Sequence, residues 1–176
     1  MNLGGTEKFA DDNPHALKIF KGESFLVTQN VLQSAGSFQT NDSALAVAKI
    51  KENHVPTISK NDLILALDDV RDPGNLGTII RIADWYGIKN IVCSSESADF
   101  YNPKVLNSSM GSFTRVNVSY TDIYQFLLQV KSPIYGAFLD GKNIHKSKFS
   151  PSGVIVMGNE SNGISDEVGA LVTERI

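Results

Sequence analysis

The feature that most constrains this chain is the run Leu63-Ile64-Leu65-Ala66-Leu67, an unbroken apolar stretch of strand length. A strand with no polar face must be covered on both sides, which is the situation of strands in a parallel sheet layered between helices. The residues after it repeat the theme. Asp72-Pro73-Gly74-Asn75 reads as a turn. Leu76, Ile79, Ile80, Ala83 and Tyr86 then fall at helical spacing, predicting a helix from Leu76 to about Tyr86 that Gly87 stops. Lys89–Ser94 is the next strand, and Pro103 to about Met110 the next helix. Phe113–Tyr120 alternates like a strand, and Asp122–Val130 carries an apolar stripe behind a Thr121 cap. Ile134–Leu139 and Gly153–Met157 are further strands. Ser165 is placed to cap a last helix whose first turn carries Asp166 and Glu167. Strands alternating with helices define an α/β fold with a parallel sheet.

The N-terminal part is less regular. Met1 to Pro14 reads as a loose polar tail. Ser24–Thr28 and Ala44–Ile50 are short apolar runs, with a short helix predicted over Gln29–Ala35, and Val55 to Asp62 reads as a connector. The expected division is therefore 1–60 and 61–176. No stretch is long and apolar enough to span a membrane, and no secretory signal is visible at the start, so the cytoplasm is the default compartment. The single cysteine, Cys93, rules out an internal disulfide and in its apolar setting reads as a buried small hydrophobe. His15, His54 and His145 lack ligand spacing, so no metal is expected. A net charge of −3 gives no global attraction to nucleic acid, leaving any such binding to local charge.

Open parallel sheets bind ligands beyond the carboxyl ends of their strands. Two Gly- and Asn-rich strand ends stand out, Asp68 to Gly77 and Gly158 to Ser165. In the first, Asn75 occupies the expected helix N-cap, and Gly77 and Arg81 lie four apart. Arg81 could lean back over the bare Gly77 and bring a fixed cation to the helix start, suited to phosphate or a developing alkoxide. Alternatively, Arg81 pairs with Asp84 on an ordinary surface. In the second, Glu160 lies between glycines directly after a strand, either as a site residue or as a solvated charge in a helix-entry loop. Neither segment is a dinucleotide or phosphate-loop fingerprint, which weighs against an unrelated nucleotide-binding α/β enzyme.

Taken together, the two segments resemble the first two motifs of the SpoU/TrmH family of RNA methyltransferases. Asp68-Asp69-Val70-Arg71-Asp72-Pro73-Gly74-Asn75-Leu76-Gly77 running into Arg81-Ile82-Ala83 is similar to motif one. Met157-Gly158-Asn159-Glu160 with Asn162-Gly163-Ile164 is similar to motif two. Tyr101-Asn102-Pro103-Lys104-Val105, Ser109-Met110-Gly111-Ser112 and Leu139-Asp140-Gly141 match family segments between them. The resemblance runs from about Leu63 to Ile176. It implies an α/β knot (SPOUT-like) domain using S-adenosyl-L-methionine to methylate a ribose 2′-hydroxyl in tRNA or rRNA, usually as a homodimer.

Carried over residue by residue, Asn75, Arg81 and Glu160 are expected at the catalytic site, and Gly158 and Leu139 against the methyl donor. The family continues with an Ile-Pro pair and a Ser-Leu-Asn motif, and this sequence stops at Ile176 before both. Ser24 to Lys51 resembles only the last part of the small RNA-binding domain many members carry. The expectation is thus a fragment with an incomplete donor pocket. The alternative is a catalytically inactive RNA-binding relative, against which Asn75, Arg81 and Glu160 argue and for which the missing third motif argues. A guanidinium stays protonated at ordinary pH, so Arg81 suits gripping a phosphate or stabilising an alkoxide better than acting as a base. Glu160 would hold Arg81 or order its loop.

Overall fold

The structure, a computed structural model, describes residues 1–36 and 40–176. Ser37, Phe38 and Gln39, within the 24–51 stretch, lie outside the described residues. The chain divides into two compact units, Met1–Glu52 and Asn53–Ile176.

In the first unit the expected loose tail is instead regular structure. Strand β1 (Asn2–Gly5) is the middle strand of a three-stranded sheet, with β2 (Glu23–Leu26) parallel on one side and β3 (Ala44–Val47) antiparallel on the other. Helices α1 (Glu7–Asp12) and α2 (Pro14–Ile19) form the β1-to-β2 crossover, and α3 (Gln29–Ala35) follows β2 over the residues the sequence predicts. Thr6 caps α1 by accepting from Phe9 N, and Pro14 opens α2. The sequence conceals β1 because two of its residues are glycines. A side chain at Gly5 would lie 2.9 Å from the Phe9 ring, so the small residues permit close packing rather than marking a floppy end. Leu32 of α3, 2% exposed, is the buried centre of this unit.

The second unit is a six-stranded sheet in the order β6-β5-β4-β8-β7-β9, with every pairing parallel. Its strands are β4 (Leu63–Leu67), β5 (Asn90–Cys93), β6 (Asn117–Tyr120), β7 (Ile134–Gly136), β8 (Gly153–Met157) and β9 (Glu174–Arg175). Its helices are α4 (Pro73–Trp85), α5 (Pro103–Ser108), α6 (Ile123–Leu128) and α7 (Asp166–Gly169). The alternation of side chains along a strand separates two cores. Leu65, Leu67, Ile91 and Cys93 pack with Leu76, Ile80 and Ala83 of α4 and Val105 of α5. Ile64, Ala66, Val92, Val154 and Val156 pack on the other face with Ile123, Leu127 and Val168 of α6 and α7. Each fully buried aliphatic side chain contributes on the order of 1.5–3 kcal/mol, so the Leu63–Leu67 run stabilises both layers at once. Cys93 is 0% exposed, and burial pushes its thiol up to about 12, as suits an inert core residue.

Several boundaries differ from the sequence reading. Helix α4 begins at Pro73, not Leu76, because Asp72 is the N-cap and accepts from Asn75 N at 2.8 Å, with Pro73 ideal for the first helical position. Asn75 is therefore inside the first turn. In the same way Asp122, not Thr121, caps α6 by accepting from Gln125 N. Phe113 and Thr114 belong to a short 3-10 turn, and the strand begins only at Asn117. Strand β9 adds to the strands expected from the sequence. It pairs with β7 at the sheet edge through backbone groups that a sequence pattern does not register. Asn53, at the start of this unit, uses its side-chain amide like a strand partner, bonding both Tyr120 N (2.9 Å) and Tyr120 O (2.8 Å).

Candidate active site

Because β4 and β8 are parallel neighbours, with Leu67 opposite Met157, their carboxyl ends deliver residues 68–75 and 158–165 to one place. The β4–β8 boundary is also where the chain's order reverses: β5 and β6 extend the sheet to one side of β4, and β8 and β7 to the other. Such a switch point is where open α/β sheets form ligand crevices.

Three side-chain contacts cross between the two loops. The Asp68 carboxylate, 8% exposed, accepts from Ser165 N at 2.7 Å. Asn159 donates its side-chain amide to the Asp69 carbonyl at 2.8 Å. Asn75 Nδ2 donates to Glu160 Oε1 at 2.8 Å. Asp69 adopts φ 61°, a left-handed conformation unusual for a residue with a side chain. It is retained by the Asn159 contact, by its own N–H donating to Ser94 Oγ (3.0 Å), and by Arg71 Nε against its carboxylate (2.6 Å).

The second loop is a tight closed turn. Asn159 and Gly163 exchange backbone hydrogen bonds, each 2.9 Å, and Asn159 Oδ1 accepts from Ser161 N and Asn162 N. Gly163 has φ 73°, which favours glycine. A Cβ on Gly158 would collide with the Gly163 carbonyl, so the turn closes only without a side chain there.

Of the expected site residues, Asn75 and Glu160 meet, both at exposed positions. Gly158 stands at the end of β8 where Glu160's loop begins. Leu139 lies beyond the carboxyl end of β7, the strand next to β8, and is 111% exposed. Arg81 is exposed on the body of α4 and, among the described residues, makes no hydrogen bond or ion pair.

Two readings of Arg81 change. It does not cross over Gly77: that glycine faces α5, where a Cβ would sit 2.5 Å from Val105 O and 2.6 Å from Ser108 Cβ. Nor does it pair with Asp84, whose carboxylate is taken by Arg115 Nη2 at 2.6 Å and Ser112 Oγ at 2.7 Å. Arg115, with Ser112, holds the Asp84 carboxyl below its ordinary range. Glu160 likewise meets Asn75 rather than Arg81.

Several charged side chains around α4 are held in ion pairs. Lys104 Nζ lies 3.0 Å from the Asp72 carboxylate and, with the backbone N–H of Asn75, holds that carboxyl below its ordinary range. Asp69, Asp72 and Asp84 are paired with Arg71, Lys104 and Arg115 respectively, and Arg81 forms no such pair among the described residues. Among the described residues no cluster of His, Cys, Asp and Glu could hold a metal. No helix among them is long and apolar enough to cross a membrane. Asn159, Asp68 and Ser165 join the loops although sequence reasoning does not assign them to the site. An acidic residue directly after a fully apolar strand is the available signal for Asp68.

The chain is similar to several known proteins. It is 29% identical over 146 residues to the 23S rRNA (guanosine(2553)-2′-O)-methyltransferase RlmP of Bacillus subtilis, an alignment covering 81% of this chain and 58% of that protein. It thus spans little more than half the length of the curated relatives it matches. A solved structure of a protein assigned to the TrmH family of RNA methyltransferases, from Porphyromonas gingivalis, aligns with a TM-score of 0.84 at 31% identity, covering 99% of this chain and 70% of that one. The SpoU methyltransferase AviRb of Streptomyces viridochromogenes, solved with AdoMet, has the same fold, with a TM-score of 0.84 at 20% identity over 99% of this chain and 71% of that one. The profile of the SpoU rRNA Methylase family matches residues 62–176, the stretch holding the parallel sheet and both loops, and the chain belongs to that family.

Proposed function

We propose that the chain is the methyl-transferring part of an S-adenosyl-L-methionine-dependent RNA methyltransferase acting on a ribose 2′-hydroxyl of rRNA or tRNA. The observation that carries this reading is the Asn75–Glu160 contact at the switch point, on a helix that also presents the exposed, unpaired Arg81. Support for the ribose as acceptor comes from RlmP, named as a 2′-O-methyltransferase, and support for the donor from AviRb, solved with AdoMet.

The residues at the carboxyl edge fit such a donor. Leu139, 111% exposed, and Met157, 40% exposed, offer apolar surface beside polar backbone at the ends of β7 and β8. Gly158 lets the Gly163 backbone pack directly against the β8 end, which shapes the loop beside that surface. When bound, the donor supplies an activated methyl group on a sulfonium, so the chain's own residues need only orient the ribose and favour its attack. Arg81 grips the phosphate next to the reacting ribose and stabilises developing alkoxide charge, as a permanently protonated guanidinium can. Asn75 and Glu160 keep the helix start and the second loop in one arrangement against the ribose, with Glu160 retaining a carboxylate oxygen to accept from a sugar hydroxyl.

The protein works on RNA in the cytoplasm as a homodimer in this reading. Ile82, Trp85 and Tyr86, exposed by 49%, 85% and 76% near the end of α4, provide apolar surface for the second copy. The test is to incubate the full-length protein with labelled donor and total RNA, digest to nucleosides and identify the product. A 2′-O-methylnucleoside is expected. Label on a base, or none on RNA at all, would overturn the assignment.

A further inference from the structure

We infer that Asn159 is a positioning residue for methyl transfer, through the clamp its side-chain amide makes onto Asp69, and this rests on the reading of Glu160 as a site residue given above. The two ends of the amide have separate tasks. Oδ1 accepts from Ser161 N at 2.9 Å and Asn162 N at 3.1 Å, which shapes the second loop within itself. Nδ2 donates to Asp69 O at 2.8 Å, across a sequence separation of 90, and so fixes that loop onto the first.

The location of the clamp gives it leverage. Asp69 holds a left-handed φ of 61°, and a strained residue keeps its conformation only while its surroundings over-determine it. Three residues further on, Asp72 caps α4, and the first turn of that helix carries Asn75. On the other side of the connection Asn159 immediately precedes Glu160. The Asn159 clamp therefore sits between the two backbones that bring Asn75 and Glu160 to 2.8 Å, and the Asp68–Ser165 contact closes the far side at 2.7 Å. Aspartate at position 159 could still form the turn through its oxygens. It could not donate to Asp69, and it would set a second carboxylate near Asp69 Oδ2, now 3.4 Å from Asn159 Nδ2. Loss of the clamp lets the Glu160 loop drift from α4, and misplacement of a reacting assembly by about an ångström can cost about a hundredfold in rate.

The experiment compares full-length wild type, Asn159→Asp, Asn159→Ala, Glu160→Gln and the Asn159→Asp/Glu160→Gln double variant. Single-turnover methylation at saturating donor and RNA is measured together with amide hydrogen exchange. Asn159→Asp should lose about ten- to a hundredfold in single-turnover rate, with RNA affinity changed far less. The double variant should be no slower than Glu160→Gln alone, since Asn159 acts through Glu160.

Exchange at Ser165 N–H should quicken in both Asn159 variants, and exchange at Ser161 N–H only in Asn159→Ala, where Oδ1 is gone. Wild-type rates for Asn159→Asp, or unaltered Ser165 exchange in both variants, would overturn the clamp. An Asn159→Asp protein that loses exchange protection throughout the sheet would also overturn it, showing a residue of folding. Absence of methyl transfer from the wild type itself would instead remove the assigned function, and Ser165 exchange would still decide whether the clamp couples the loops.

Discussion

The side-chain amide of Asn75 donates to the carboxylate of Glu160 at 2.8 Å across a sequence separation of 85, joining the first turn of α4 to the loop after β8. Both residues are exposed, and the core gains nothing from their contact. Its value lies in geometry: it fixes the two loops at the carboxyl edge of the sheet to each other. Glu160→Gln keeps an acceptor oxygen for Asn75 and removes the charge. We expect turnover to fall by at least about tenfold while the thermal midpoint stays within a degree or two of wild type. A midpoint lowered as far as by a core truncation such as Leu67→Ala would show that Glu160 serves folding.

Arg81 provides a sharper test, because no partner among the described residues complicates its removal. Arg81→Ala should leave the thermal midpoint unchanged and lower single-turnover methylation by roughly a hundredfold or more, the scale for losing one preorganised charge. Arg81→Lys should recover little, since an ammonium lacks the two-pronged grip on phosphate oxygens. Asp84→Ala is the reciprocal control. It frees Arg115 and Ser112, so stability should drop while chemistry is largely retained. Equal activity in wild type and Arg81→Ala would take this residue out of the mechanism.

Gly77→Ala addresses the packing that positions α4. The new methyl would meet Val105 O at 2.5 Å and Ser108 Cβ at 2.6 Å, both on α5, and backbone cannot yield as a flexible side chain does. The expected loss is about 1–3 kcal/mol, typical of overpacking, against the slight gain that alanine gives in an open helix. Denaturant unfolding measures it. A gain in stability would mean that α5 moves aside freely.

Acid stability follows from the paired carboxylates. Asp72, Asp84 and Asp140 are each held below the ordinary value of 3.8, chiefly by hydrogen bonds from Lys104, Arg115 and Arg175 respectively. A depressed folded-state pKa means the stabilisation is fully present above the unfolded value and is lost as pH falls through the folded one. Stability should therefore be flat from neutral pH down to about 4 and fall below it. Replacing Asp84 by Asn should make the acid limb of the curve shallower. An unchanged limb in that variant would assign the acid sensitivity to other groups.

Cys93 should resist modification in the folded protein. Its thiol is buried and raised to about 12, so little thiolate exists near neutral pH. Labelling by a maleimide should be slow in buffer and rapid in denaturant. Fast labelling of the native protein would show that β5 opens readily.

The amino-acid sequence by itself determined the helices and five of the six strands of the parallel sheet, since a buried strand and an amphipathic helix each write their period into the chain. Leu63–Leu67 and Gly153–Met157 are legible to the residue for that reason. The motif resemblance also led to the family, because Asn75, Arg81, Gly158 and Glu160 stand in the order and spacing it requires. The first strand was illegible, as Asn2–Gly5 has no alternation to read, and β9 is recognisable only from the edge it joins.

Partnership was beyond the sequence altogether. That Asp84 takes Arg115 rather than Arg81, that Gly77 admits α5 rather than an arginine, and that Asn159 reaches Asp69 depend on which elements become neighbours. A local pattern reports which way a side chain faces, because that is fixed within a turn of helix or a pair of strand residues. Only the assembled sheet, which sets β8 against β4, decides what that side chain meets.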